Sequence, residues 1–127
     1  MEAQPELYVY YREEEMLPYA FCYLHELYPK RKGWDMNFMR DEQLSCPDFI
    51  IERVNGCVVT RVIVMVRMQK IISENHISEM QKYESIIKAE KHFKIEKILI
   101  VPAGCNTSQV PSDFKIIYLK EFHLQTT

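Results

Sequence analysis

Two stretches hold the residues of this chain whose types and spacing could do chemistry. They are Pro47-Asp48-Phe49-Ile50-Ile51 and the apolar run Val62-Ile63-Val64-Met65-Val66-Arg67-Met68-Gln69-Lys70. They read as adjacent strands, with an acid opening the first and a cation near the end of the second. Two acids and a lysine converging on neighbouring strand ends would hold Mg²⁺, orient a water and stabilise charge on a phosphate. That chemistry is metal-dependent phosphodiester cleavage. Alternation places Asp48, Ile50 and Glu52 on one face of the first strand. It places Ile63, Met65, Arg67 and Gln69 together on one face of the second. That face of the second strand carries Met65 and no second acid. A thioether does not suit Mg²⁺, which takes oxygen ligands. A guanidinium keeps its charge but cannot be deprotonated to act as a base.

The elements that would position these residues follow from periodicity. Apolar residues from Pro5 to about Tyr28 recur at three- and four-residue steps (Leu7, Tyr10, Tyr11, Leu17, Phe21, Leu24, Leu27) and predict helix. Glu13-Glu14-Glu15 is expected mainly on its wet side. Pro18 predicts a kink or two consecutive helices. Lys30-Arg31-Lys32-Gly33 closes the segment with cations and a glycine. Trp34 to Arg40 reads as a strand, with Trp34, Met36 and Phe38 on one face.

Asn55-Gly56 is the strongest turn signal and predicts a hairpin between residues 48–54 and 57–67. The second arm is nearly continuously apolar, so it reads as a central strand buried on both faces. Ser73 or Asn75 can cap a helix running to about Phe93, with Ile77, Met80, Tyr83 or Glu84, Ile87 and Phe93 inward. Lys97 to Val101 is a short buried strand ending at Pro102-Ala103-Gly104. Cys105 to Asp113 is a loop, and Phe114 to Leu119 a last, edge strand. The order predicts one domain over residues 1–127. Its fold is a mixed-sheet α/β sandwich with a helix-strand-strand-strand-helix-strand core and one further strand.

At this point the chain resembles the restriction-endonuclease-like, PD-(D/E)xK nuclease superfamily. The resemblance rests on the element order, on Pro47-Asp48 at the head of the second strand and on the strand-helix junction. It implies that Asp48 matches the first metal-binding acid and that Met65 falls at the second. Arg67 takes the lysine position, and Gln69 a polar position found after that lysine in some members. It also implies Mg²⁺ as the cofactor and DNA as the partner if the site is active. Some members take the second acid from the following helix, which makes Glu79 or Glu84 candidates. Others use the first helix, which makes Glu13, Glu14 or Glu15 candidates. The reading that follows is a degenerate nuclease-like protein, weak or inactive as a catalyst, that binds nucleic acid or a protein partner as a homodimer. An active Mg²⁺-dependent endonuclease using Asp48, Glu79 and Arg67 is the alternative.

Plainer readings stand beside these. Asp48 after Pro47 can simply start a strand, and Arg67 is read first as its structural ion-pair partner rather than as a catalyst. Glu79 and Glu84 read as solvated helix residues, with Glu84 to Lys88 a favourable pair. Lys88, Lys91, Lys94 and Lys97 read as a solvated surface before a phosphate-facing patch. His25, His76, His92 and His123 share no metal-ligand spacing. Tyr8, Tyr10, Tyr11, Tyr19, Phe21, Tyr23 and Tyr28 exceed what one buried stripe needs, so a partner surface is a third reading.

Bulk properties narrow the classes. The 127 residues are 47% hydrophobic and 27% charged, ordinary for a globular domain. A net charge of −2 argues against tight non-specific nucleic-acid binding by the chain as a whole, though not against a local basic patch. Cys22, Cys46, Cys57 and Cys105 form no CxxC pair. Reduced, mostly buried thiols in a cytoplasmic protein are expected. The N-terminus shows no basic-then-apolar segment, so no secretory signal is expected. No apolar run approaches the roughly 18 residues of a membrane span. Three glycines, at 33, 56 and 104, leave no glycine-rich nucleotide loop, and no Gly-x-Ser-x-Gly elbow is present.

Overall fold

The computed structural model describes residues 12–39, 47–88 and 93–123. Predicted features at Leu7 to Tyr11, Arg40, Cys46, Lys91 and His92 lie outside these residues, as do the side chains of Ile87, Lys88 and Phe93. Five strands form one mixed sheet in the spatial order β1-β2-β3-β4-β5. They are β1 Asp35–Phe38, β2 Phe49–Asn55, β3 Val58–Val66, β4 Phe93–Ala103 and β5 Phe114–His123. Helix α1 (Glu13–Leu27) precedes β1, and α2 (Glu74–Lys88) joins β3 to β4. β1 with β2 and β2 with β3 are antiparallel, whereas β3 with β4 and β4 with β5 are parallel. The described residues thus form an α/β arrangement, with two α-helices on a five-stranded sheet.

Each helix covers one face of the sheet. Met16, Ala20 and Leu24 of α1 pack with Phe49, Ile51, Val62, Val64, Val66, Ile98, Ile100 and Leu119. On the other face, Ile77 and Met80 of α2 pack with Ile50, Ile63, Met65, Leu99, Val101 and Phe114. Strand residues divide by parity between the two cores, as alternation requires. β3 lies in the middle of the sheet, and Val62 to Val66 are fully buried.

The buried stripe of α1 differs from the expected one. Met16, Ala20 and Leu24 are buried at four-residue steps, while Phe21 and Leu27 are exposed. The small side chain of Ala20 lets the helix approach the sheet on a line that excludes the larger Phe21. Pro18 lies inside this single helix, in its second turn, and does not divide it.

The hairpin forms where expected, with Asn55 opposite Val58 and a loop of Gly56 and Cys57. Gly56 takes a φ of +65°, which the tight reversal needs and glycine adopts at little cost. Ser73 precedes α2, and its backbone N–H donates to His76 Nδ1 at 3.0 Å, tying down the first turn. Pro102 sits in β4 past Ile100, the last residue paired to β3, so its missing N–H costs no bond on that side. α2 ends at Lys88 rather than Phe93, and β4 is correspondingly longer than its apolar run.

Two expectations fail. Cys22 and Cys57 are exposed and only Cys105 is buried, so the described thiols are not mostly buried. Lys97 is not part of a solvated lysine surface, being only 7% exposed. Its ammonium lies 2.9 Å from Glu84 Oε1, bonds Asp113 Oδ2 and sits 4.8 Å from the Phe114 ring centroid. Glu84 thus faces inward to Lys97. No helix among the described residues is long and apolar enough to cross a membrane.

Candidate functional site

Asp48 stands immediately before β2, at the open end of the antiparallel pair. Its backbone is held on both sides. Its N–H donates to Val64 O at 2.8 Å, and its carbonyl accepts from Met39 N–H at 2.7 Å. The carboxylate is only 2% exposed and meets two donors through one oxygen. Val66 N–H donates to Oδ2 at 2.7 Å, and Arg67 Nη1 donates to the same atom at 3.0 Å. The side chain thereby takes up a backbone N–H at the end of β3.

Arg67 directly follows β3, and its side chain is 9% exposed. Its own N–H donates to Ile100 O at 3.0 Å, and Nη1 also donates to Val66 O at 2.7 Å. Nη2 lies 3.7 Å from Glu79 Oε1 on α2. One guanidinium therefore bridges the acid that opens β2 and an acid on the crossover helix. A planar fork suits this, because its N–H groups diverge toward separate acceptors. Among the described residues, no buried side-chain nitrogen or oxygen lacks a hydrogen-bond partner.

A third acid enters from α1. Glu13 Oε1 accepts Met68 N–H at 2.9 Å, so Glu13 turns inward, against the expectation for Glu13-Glu14-Glu15, while Glu14 and Glu15 remain exposed. The signal was in the sequence. Glu13 lies on the same helix face as Met16, Ala20 and Leu24.

The other candidates fall differently. Met65 is fully buried in the α2-facing core. Its thioether packs there with Ile63, Leu99 and Met80 and offers no oxygen to a cation. Gln69 is exposed and lies three residues beyond the end of β3, where strand alternation no longer directs it. Glu84 belongs to the Lys97 cluster. Asp48 and Glu79 thus hold a guanidinium between them. This donor set does not fit Mg²⁺, which needs several oxygens free to face it. Among the described residues, no group of three or more histidine, cysteine, aspartate or glutamate side chains is arranged to hold a metal ion.

Three groups elsewhere have displaced pKa values, the Tyr28 phenol being raised by burial and by the charge of Glu96. Burial pushes the Cys105 thiol up to about 11. Burial opposes the Lys97 ammonium, but the hydrogen bonds it donates to Asp113 and Glu84, with the charges of those acids, outweigh it and leave the pKa raised.

No protein-family model, curated protein or solved structure matches this chain.

Proposed function

We propose that this protein is a degenerate restriction-endonuclease-like protein whose nuclease position is closed by an internal cation, and that it works by binding. The observation that carries the reading is the buried Asp48–Arg67 ion pair at 3.0 Å, bridged onward toward Glu79 at 3.7 Å. The element order and the mixed sheet support the scaffold assignment, as does an acid at the head of β2 beside the end of β3. The chemistry of the occupants argues against catalysis. Arg67 neutralises the charge a metal would neutralise, cannot serve as a base, and presents no site for a water to be activated.

The test is calorimetric titration of Mg²⁺ and Mn²⁺ into the wild type and Asp48→Ala, followed by a plasmid-nicking assay. The expected result is no Asp48-dependent metal binding and no nicking. Asp48-dependent binding with nicking would instead identify Glu79 as a relocated second acid. That second reading is favoured by the position of Glu79 beside Arg67.

A further inference from the structure

The C-terminal end of α1 carries a feature that the strand-end site does not use. An open groove of about 550 Å³ is lined by Phe21, Cys22, His25, Glu26, Pro29, Lys30 and Arg31. A smaller cleft of about 150 Å³ lies beside it, reaching Tyr28, Trp34, Asp35 and Met36. Phe21, His25 and Lys30 line both. The Phe21 and His25 rings stack at 5.4 Å with 22° between their planes. Both residues are exposed. Beyond them the Trp34 ring carries the Arg53 guanidinium 4.6 Å from its centroid.

The charge of this region opposes that of the chain. Lys30, Arg31 and Lys32 are consecutive exposed cations on a 3-10 turn. Arg53 lies alongside that turn, its Cδ 3.5 Å from where a side chain on Gly33 would begin. In the lining itself Lys30 and Arg31 are matched by Glu26 and Asp35, and the local excess of cations comes from Lys32 and Arg53 beside it, although the whole chain carries −2. Complementing the C-terminal dipole of α1 accounts for one or two of these cations. It does not account for exposed rings between them.

We infer that this groove binds single-stranded nucleic acid, with bases stacked on the Phe21–His25 ring pair and phosphates on Lys30 and Arg31. Exposed ring faces beside cations are the combination that non-sequence-specific single-strand binders use. A duplex hides its base faces and cannot use the rings. The two clefts share Phe21, His25 and Lys30 as walls, so sites on either side of the ring pair suit a strand rather than an isolated mononucleotide. His25 lies about 18 Å along α1 from Glu13, at 1.5 Å per residue, so this surface is separate from the Asp48–Arg67 site. The inference rests on the binding half of the proposed function and names its ligand.

The test is fluorescence anisotropy of a labelled oligothymidylate and a labelled oligouridylate, each about 12 nucleotides long, in EDTA. Measurements run from about 50 to 200 mM salt, with a duplex of equal length as the comparison. Saturable binding is expected, stronger for the single strands than for the duplex by about tenfold or more. Phe21→Ala removes an exposed ring and is expected to weaken binding by about tenfold. The double variant Lys30→Ala/Arg31→Ala should lower the slope of log K against log salt by about 1.4. Ile86→Ala, at an exposed position on α2, should change nothing. Alkylation of Cys22, which lines the groove, should slow when the oligonucleotide is bound. No binding at the lowest salt overturns the inference, as does equal affinity for Phe21→Ala and wild type, or a preference for the duplex. Because EDTA is present throughout, the outcome is independent of the metal titration. Failure here removes nucleic acid as the ligand of this groove and leaves the closed-site reading of Asp48 and Arg67 standing.

Discussion

Asp48 and Arg67 share a buried hydrogen-bonded ion pair at 3.0 Å although they stand 19 positions apart in the chain. The pair joins the start of β2 to the end of β3. Removing Arg67 takes the guanidinium from a buried carboxylate, and Asp48→Ala leaves Arg67 with the longer contact to Glu79 and takes the acceptor from the Val66 N–H. Each single substitution, Asp48→Ala or Arg67→Met, is expected to cost about 3–5 kcal/mol. The double variant should cost less than the sum by about 1–3 kcal/mol, because the two losses overlap. Urea unfolding of the four proteins measures this, and additive losses would mean that the pair is not coupled.

Placing an acid at Met65 should not create a nuclease. Met65 is fully buried among aliphatic side chains on the α2 face. Met65→Glu places a carboxylate there without a prepared partner and should destabilise the fold by several kcal/mol. Thermal melting checks this. A Met65→Glu protein that melts like wild type and gains Mg²⁺ binding would show that the core tolerates the acid.

Glu13 anchors α1 to the segment after β3 by accepting Met68 N–H. Glu13→Ala should leave that amide without its acceptor and cost about 1–2 kcal/mol. Faster exchange of the Met68 amide, measured by NMR, should accompany the loss. Glu14→Ala, at an exposed position in the same turn, is the control.

The buried thiol and ammonium make stability fall on the alkaline side. Cys105 keeps its proton to about 11 in the folded chain, against an ordinary 9.0, so the unfolded chain loses this proton first as pH rises. Its contribution is whole below pH 9.0 and is lost progressively toward about 11. The Lys97 pKa is also raised, so its contribution is complete below the ordinary 10.5 and lost as pH climbs through the folded value. Urea midpoints should therefore fall from about pH 9 upward, and Cys105→Ala should flatten the first part of that fall. At neutral pH, Cys22 and Cys57 should react with a thiol reagent well before Cys105.

Much of the fold was legible because its signals are local. The β-branched run of β3, the glycine turn at Gly56 and the apolar faces of α2 each declare an element without knowledge of its neighbours. Asp48 and Arg67 could be paired from the hairpin alone, since alternation and a short turn bring strand ends together. What escaped depended on distant packing. Of the α1 stripe expected at Leu17, Phe21, Leu24 and Leu27, Leu24 is buried while Phe21 and Leu27 are exposed, because Ala20 decides which side lies flat on the sheet. Lys97 was grouped with neighbouring lysines by charge. Its parity with Leu99 and Val101 places it on the α2 side, where Glu84 waits. Gln69 was placed by continuing a strand that ends at Val66.

The two-residue loop at Gly56 and Cys57 has a consequence in time. The β2–β3 pair is built from residues close in sequence, so closing it sacrifices little chain entropy. The parallel pairing of Val59 with Phe93 must wait for the whole α2 crossover to close. We expect the antiparallel half to order first, with Asp48 and Arg67 already facing each other at its open end. The later half then closes over a charge pair that already exists, so no bare carboxylate needs to be dehydrated on the way. Phi-value analysis should give higher values at Val59 and Val62 than at Leu99 and Ile116. The turn that sets the register would then also set the order of assembly.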